Sequence, residues 1–241
     1  MTDTTSPSTV ELQEVVKNYR QGTVEVKALR GLSLTVAPGE FTAICGPSGS
    51  GKTTALNLIG ALDTPSSGRV ILEGQDLGQL GRTALSRLRR DRIGFVFQAY
   101  NLIPVLSAYE NAESVMALKG VDDRTRKERV MKLLAEVGLE GMEHRRPDHL
   151  SGGQQQRVAV ARAIAPRPAL VLADEPTANL DSKTGAALID LMRELNRERG
   201  VTFLFSSHDP QVIERADRVV RLRDGLIEDD TQAADQVAGG A

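Results

Sequence analysis

The residues best placed to do chemistry are Gly46–Thr53, GPSGSGKT. They fit G-x-x-x-x-G-K-[ST] in full. Glycines at 46, 49 and 51 let backbone N–H groups turn inward and approach phosphate oxygens closely. A helix beginning at Lys52 would present its positive dipole end to the same place. Gly46, Pro47, Ser48, Gly49, Ser50, Gly51, Lys52, Thr53 and Thr54 are therefore the expected cradle of a nucleotide polyphosphate. Lys52 reaches its β and γ phosphates and Thr53 offers a hydroxyl to Mg2+.

An acidic partner follows later. In ALVLADEP, Ala169–Pro176, an apolar strand ends in Asp174, which can sit in or near the Mg2+ shell. Glu175 is next, where it can polarise an attacking water. Two further apolar runs end in polar groups: IGFVF runs into Gln98, and VTFLFSS into His208. With EFTAIC running into Gly46, four buried strands each deliver functional groups at their carboxyl end. That edge is where open α/β sheets bind ligands.

The elements that must position these groups are legible in outline. Alternation in VELQEVVKNY and LRGLSLTV predicts half-buried strands, and RVILEG a later one. Helices are expected over Lys52–Leu62 and Lys183–Arg199, and through RTALSRLRRDR, SAYENAESVMAL and RTRKERVMKLLAEVG, the last stopped by Gly138. A hairpin is expected around Asp224-Gly225. The fold class is α/β: a parallel-sheet core with a mostly helical insertion over about 82–165, in a domain spanning 9–229. Residues 1–8 and 230–241 read as loose tails, the first lacking the basic start and apolar core of a signal peptide.

Composition narrows the function. The net charge of −2 argues against a broad nucleic-acid footprint, and no apolar stretch reaches the roughly 18 residues needed to span a bilayer. The single cysteine, Cys45, lies in an apolar run and reads as a small buried hydrophobe.

One stretch is unexplained by a single site. LSGGQQQRVAVARAIA, from Leu150, opens like an anion-binding helix: Ser151 can cap it, and Gly152 and Gly153 open its first turn to close approach although each weakens the helix. Nothing beside it in the chain looks able to hold or cleave an anion.

With this stretch the chain resembles the nucleotide-binding subunits of ABC transporters, from Val10 to Asp229. LSGGQ, Leu150–Gln154, is similar to the family's signature motif, GPSGSGKT to its Walker A and LVLADE to its Walker B. Gln98 matches its Q-loop glutamine, NLD (Asn179–Asp181) the core of its D-loop, and His208 its switch histidine. The resemblance implies a P-loop core with an N-terminal antiparallel β subdomain and an inserted helical signature subdomain. It also implies a head-to-tail pair of copies in which Ser151, Gly152, Gly153 and Gln154 bind the γ-phosphate held by the other copy. Tyr19 would stack on adenine, Asp181 would bridge the copies, and Gln98 would touch Mg2+ (with Thr53 and Asp174) and the attacking water. Glu175 would act as the catalytic base or at least orient the water, His208 would contact the γ-phosphate and steady that arrangement, and Lys52, on the β and γ phosphates, would count among the catalytic residues.

Longer stretches, including PGEFTAICGPSGSGKTTALNLIGALDTPSSG and LADEPTANLDSKTG, resemble the MacB and LolD-type branch, which usually has glycine where Ala178 stands. That branch implies a membrane permease partner with an extracytoplasmic domain, and attachment to the inner face of the plasma membrane through it. The apolar run AYNLIPVLSAY after Gln98 suits a docking surface for such a partner as well as it suits packing within the helical subdomain. The rival reading is a non-transport ABC ATPase serving cell division or DNA and assembly processes. Such proteins often carry coiled-coil insertions or fused second heads, which this sequence lacks.

Overall fold

The computed structural model describes residues 8–22 and 24–232. Of the tails expected over 1–8 and 230–241, residues 1–7 and 233–241 lie outside the described residues. Strands β1 (Val10–Gln21), β2 (Val24–Val36), β4 (Ser67–Leu72) and β5 (Gln75–Asp76) form an antiparallel sheet in the order β2-β1-β4-β5. The alternation read in β1 holds for Val10 and Leu12, then slips by one residue so that Val15 is the next buried side chain. The slip is a bulge at Glu14, whose φ is 49°. Gly68 of β4 crosses there, and a Cβ on it would stand 2.3 Å from the Glu14 carbonyl oxygen.

The second sheet holds β3 (Phe41–Cys45), β6 (Ile93–Phe97), β7 (Leu170–Asp174), β8 (Thr202–Ser206), β9 (Arg218–Arg223) and β10 (Leu226–Gln232), in the order β10-β9-β3-β8-β7-β6. All neighbours are parallel except β9 and β10, which form the expected hairpin through Asp224 and Gly225, both at positive φ. β10 runs to Gln232, so 230–232, expected in the tail, pair with β9. The central strands read as nearly unbroken apolar runs because both their faces are covered. Phe41, Ala43, Val171, Ala173, Phe203 and Phe205 face one core, while Ile44, Leu170, Leu172 and Leu204 face the other.

One core is closed by helices α3 (Ala108–Leu118), α4 (Asp123–Glu136), α5 (Gly152–Ile164) and α6 (Ser182–Arg199). The other lies between the sheets around α1 (Lys52–Ile59), which ends three residues before the expected Leu62. Within the 82–165 span expected as a helical insertion, α2 (Arg82–Arg92) leads straight into β6, which returns to the main sheet beside β7. The apolar, β-prone IGFVF accounts for this return, and the continuous helical layer begins only at α3. A short α7 (Pro210–Ile213) follows β8.

Local signals set the helix ends. Ser107 and Glu110 form a capping box on α3, Asp122 and Asp181 cap α4 and α6, and Gly138 and Gly200 close these two helices at φ 73° and 64°. Among the described residues, no helix is long and apolar enough to cross a membrane.

Candidate nucleotide site

Strand register brings the functional groups to one edge. Phe97 pairs with Asp174, Ala173 with Phe205, and Ile44 with Ser206. Gln98, Glu175, Ser207 and Gly46 therefore leave the sheet at nearly the same height. Above them lies a cavity of about 680 Å³, a size suited to a small ligand. It is lined by Tyr19, Ser48, Gly49, Gly51, Lys52, Thr53, Thr54, Gln98, Glu175 and His208, with Val26, Lys27, Ala28 and Ala178 completing its walls.

The phosphate loop needs its glycines for space as well as conformation. Gly46 and Gly51 have φ of 142° and 105°. A Cβ on Gly46 would stand 2.1 Å from the Leu222 carbonyl oxygen, and one on Gly51 2.7 Å from that of Ala28. The Lys52 ammonium folds back across the loop and donates to the carbonyls of Gly46 (2.8 Å) and Pro47 (3.1 Å). Thr53 Oγ1 donates to Asp174 Oδ1 at 3.1 Å, joining the loop to the acidic strand end.

Glu175 is held in a left-handed conformation, φ 47°, which costs a non-glycine residue about 1–2 kcal/mol. Ser206, fully buried, fixes it: its hydroxyl accepts from the Glu175 N–H (2.9 Å) and donates to Asp174 Oδ1 (2.7 Å). The Glu175 side chain turns toward His208, whose Nδ1–H donates to Oε2 at 3.0 Å in the tautomer that suits a carboxylate.

At the far end of the cavity, Tyr19 is oriented by Asp63. The phenol donates to Asp63 Oδ2 (2.8 Å), and Lys17 Nζ donates to Oδ1 (2.6 Å) while standing 4.8 Å from the Tyr19 ring centroid. Burial pushes the Tyr19 phenol up, and the bond to Asp63 adds to this. Burial acts to raise the Asp63 carboxyl too, but hydrogen bonds from Lys17 and Tyr19 outweigh it and hold it below its ordinary value.

Nine expected site residues are not part of this lining: Gly46, Pro47 and Ser50 of the loop, Asp174 at the strand end, and the more distant Ser151, Gly152, Gly153, Gln154 and Asp181. Ser151 and Gln154 form a capping box on α5: Ser151 Oγ accepts from the Gln154 N–H (3.3 Å) and Gln154 Oε1 from the Ser151 N–H (2.9 Å). Ser151 remains exposed. The two glycines have a reason within the chain that the sequence alone did not reveal. A Cβ on Gly152 would stand 2.8 Å from the Tyr100 hydroxyl, and one on Gly153 2.6 Å from Thr184 Cγ2. Asp181 caps α6, accepting from the Thr184 N–H (3.0 Å) and hydroxyl (2.6 Å). The hydroxyl bond, then the N–H bond, hold its carboxyl below the ordinary value.

Beside the Gln98 segment lies a second cleft, about 320 Å³, between α2, β6, α3 and α5. Leu62, Phe95, Phe97, Val115 and Leu118 make it apolar, and Arg89, Arg90 and Arg162 line it as well. Leu118 is 72% exposed and Val105, in the apolar run after Gln98, 70%.

Sequence reasoning missed Ser206, Asp63, Lys17, Gln156 and Arg162, and named Asn179 only as part of the D-loop match, not as a donor to the Gln98 carbonyl. Ser206 carried a signal, as a polar residue at the end of an apolar strand. The others act through contacts between distant segments that no local spacing announces.

Comparison with known proteins gives a consistent result. The ABC transporter family model matches residues 29–178. The chain is 50% identical over 228 residues to the lipoprotein-releasing system ATP-binding protein LolD of Anaeromyxobacter dehalogenans, covering 94% of this chain and 95% of that protein. It is 47% identical over 226 residues to the macrolide export ATP-binding/permease protein MacB of Syntrophobacter fumaroxidans, covering 93% of this chain but only 32% of that longer protein. Among solved structures, the dimeric post-hydrolysis state of the ATP-binding cassette MJ0796 bound to ADP and Pi is 42% identical, with a TM-score of 0.85 over 93% of this chain and 98% of that one.

Proposed function

Since the chain belongs to the ABC transporter family, as an ATP-binding and ATP-hydrolysing subunit, we propose that two copies clasp head to tail around two ATP molecules and drive a membrane permease. The observation that carries this reading is the split of the site. One polyphosphate cradle, with an acid and a histidine, shares a cavity, while the anion-binding start of α5 stands exposed outside it. A second copy would bring its own Ser151 to the γ-phosphate, with Gly152, Gly153 and Gln154 shaping that helix start and Asp181 at the seam. A dimeric cassette that is 42% identical and bound to ADP and Pi supports the arrangement.

Within each half, Lys52 and the inward N–H groups of residues 46–54 bind the phosphates, and Tyr19 presents its ring to adenine. The Thr53 hydroxyl and Asp174 carboxylate, in contact at 3.1 Å, and the Gln98 amide on the same cavity are the hard oxygen donors that suit Mg2+. The ion would neutralise charge on the β and γ phosphates. Glu175 polarises the attacking water, and His208 orients its carboxylate through the 3.0 Å bond. ATP holds the halves together; loss of γ-phosphate contacts releases them, and this closing and opening is the mechanical output.

The permease, with an extracytoplasmic domain as in the MacB and LolD-type branch, would hold the chain at the inner face of the plasma membrane. The apolar cleft beside Gln98 is the surface that suits a short helix of that partner, since an exposed apolar patch rimmed by charge marks interaction sites. Leu118→Glu places a charge at its rim. In cells of the source organism, the parent chain should sediment with membranes and the variant should move to the soluble fraction with its ATPase activity retained. A parent chain found wholly in the soluble fraction would favour the non-transport reading.

A further inference from the structure

The backbone after β6 is held in an unusual way. The carbonyls of Phe97, Gln98, Tyr100 and Asn101 each accept from a side chain. Gln156 Nε2 donates to Phe97 (3.3 Å), Asn179 Nδ2 to Gln98 (2.9 Å), Arg162 Nη2 to Tyr100 (2.9 Å) and Arg162 Nη1 to Asn101. Tyr100 and Asn101 are consecutive non-glycine residues at φ 60° and 49°, a conformation that L side chains rarely hold without support. Two of the three donors, Gln156 and Arg162, lie on α5, six residues apart.

Neither donor is explained by ordinary packing. Gln156 is fully buried, and the same Nε2 also donates to the Pro176 carbonyl at 2.7 Å. One amide thus joins the residue before Gln98 to the residue after Glu175, while among the described residues its Oε1 has no partner. Arg162 lines the apolar cleft, and burial pushes its guanidinium below the ordinary value with no charged neighbour contributing. Arg162 is half-buried, and the side-chain hydrogen bonds found for its guanidinium go to these two backbone carbonyls.

We infer that Arg162, together with Gln156, is a positioning residue for catalysis: it clamps Phe97–Asn101 in this strained path and so sets where the Gln98 amide stands relative to the γ-phosphate. The inference rests on the proposed role of Gln98 toward Mg2+ and the attacking water beside that phosphate. The clamp also joins three places in one rigid contact, because Arg162 borders the cleft, α5 is capped by Ser151, and the held segment enters the nucleotide cavity. Pressure in the cleft therefore has a direct route to Gln98.

Steady-state ATP hydrolysis by the full chain tests this, using Arg162→Gln, Arg162→Lys, Gln98→Ala and the double variant Arg162→Gln/Gln98→Ala. Arg162→Gln should lower kcat roughly 10-fold or more with KM little changed, because it loses bonds to a charged donor without touching ATP. Arg162→Lys keeps the charge and can reach one carbonyl, so it should recover part of the loss. The double variant should be no slower than Gln98→Ala alone. A nitroxide on Ala99→Cys should gain mobility in Arg162→Gln while the melting temperature holds, since Cys45 is buried and stays unlabelled. If Arg162→Gln does not fold, Arg162→Lys carries the same test with a smaller expected loss. A kcat unchanged in the Arg162 variants, or losses that multiply in the double variant, overturns the clamp while leaving Gln98 in its role. A Gln98→Ala chain as fast as the parent overturns the role of Gln98, and the clamp's catalytic purpose with it.

Discussion

Glu175→Gln is expected to reduce ATP turnover by roughly 10²–10⁴-fold, the range that loss of a general base produces, and to leave a stable ATP-bound dimer. Glutamine has the size and shape of glutamate, so the strained backbone held by Ser206 and the contact with His208 can persist. What disappears is the negative oxygen that draws a proton from water. Binding is untouched, because Lys52 and the loop N–H groups make it. The cycle should halt after closure and before cleavage. Light scattering with ATP should find twice the mass of the chain, and rapid-quench kinetics should find almost no phosphate. A Glu175→Gln chain that turns over at the parent rate removes Glu175 from its role.

Lys52→Ala should act one step earlier. Lys52 is only 9% exposed, and its ammonium lies over the loop, held by the Gly46 and Pro47 carbonyls. In the proposed site its charge would serve the β and γ phosphates at the floor of the cavity. Each charge-assisted bond contributes about 1.5–3 kcal/mol, so losing two weakens ATP binding on the order of 100-fold or more. The fold should survive, because the carbonyls released can be hydrated from the open cavity. Calorimetric titration of the variant with Mg·ATP checks this. A dissociation constant close to that of the parent chain would contradict the placement of Lys52 against the phosphates.

The parts of this account that were legible in the sequence are those with a local physical cause. The strands at Phe41, Ile93, Leu170 and Thr202 are largely apolar because both faces are covered, and each leads into polar or loop residues at the sheet edge. The phosphate loop and the Asp224-Gly225 hairpin are written in glycines at fixed spacing. The bulge at Glu14 was hidden because nothing in VELQEVVKNY marks the slip; β4 crossing at Gly68 explains it only after folding. The glycines of the signature stretch showed that something comes close, but Tyr100 and Thr184 are far away in sequence. Asp63 is 44 residues from Tyr19, and Arg162 is 62 from Tyr100. Such contacts belong to the topology.

The central claim is that each nucleotide site is finished by a second copy, through Ser151. Ser151→Asp tests it cleanly, because aspartate caps a helix as well as serine does while setting a negative charge against the partner's γ-phosphate. The measurement is the ATP-dependent mass of Glu175→Gln chains with and without Ser151→Asp. The account predicts a dimer without the second change, and with it a monomer that binds ATP as tightly as before. A doubly substituted chain that dimerises on ATP as readily as Glu175→Gln alone would contradict it.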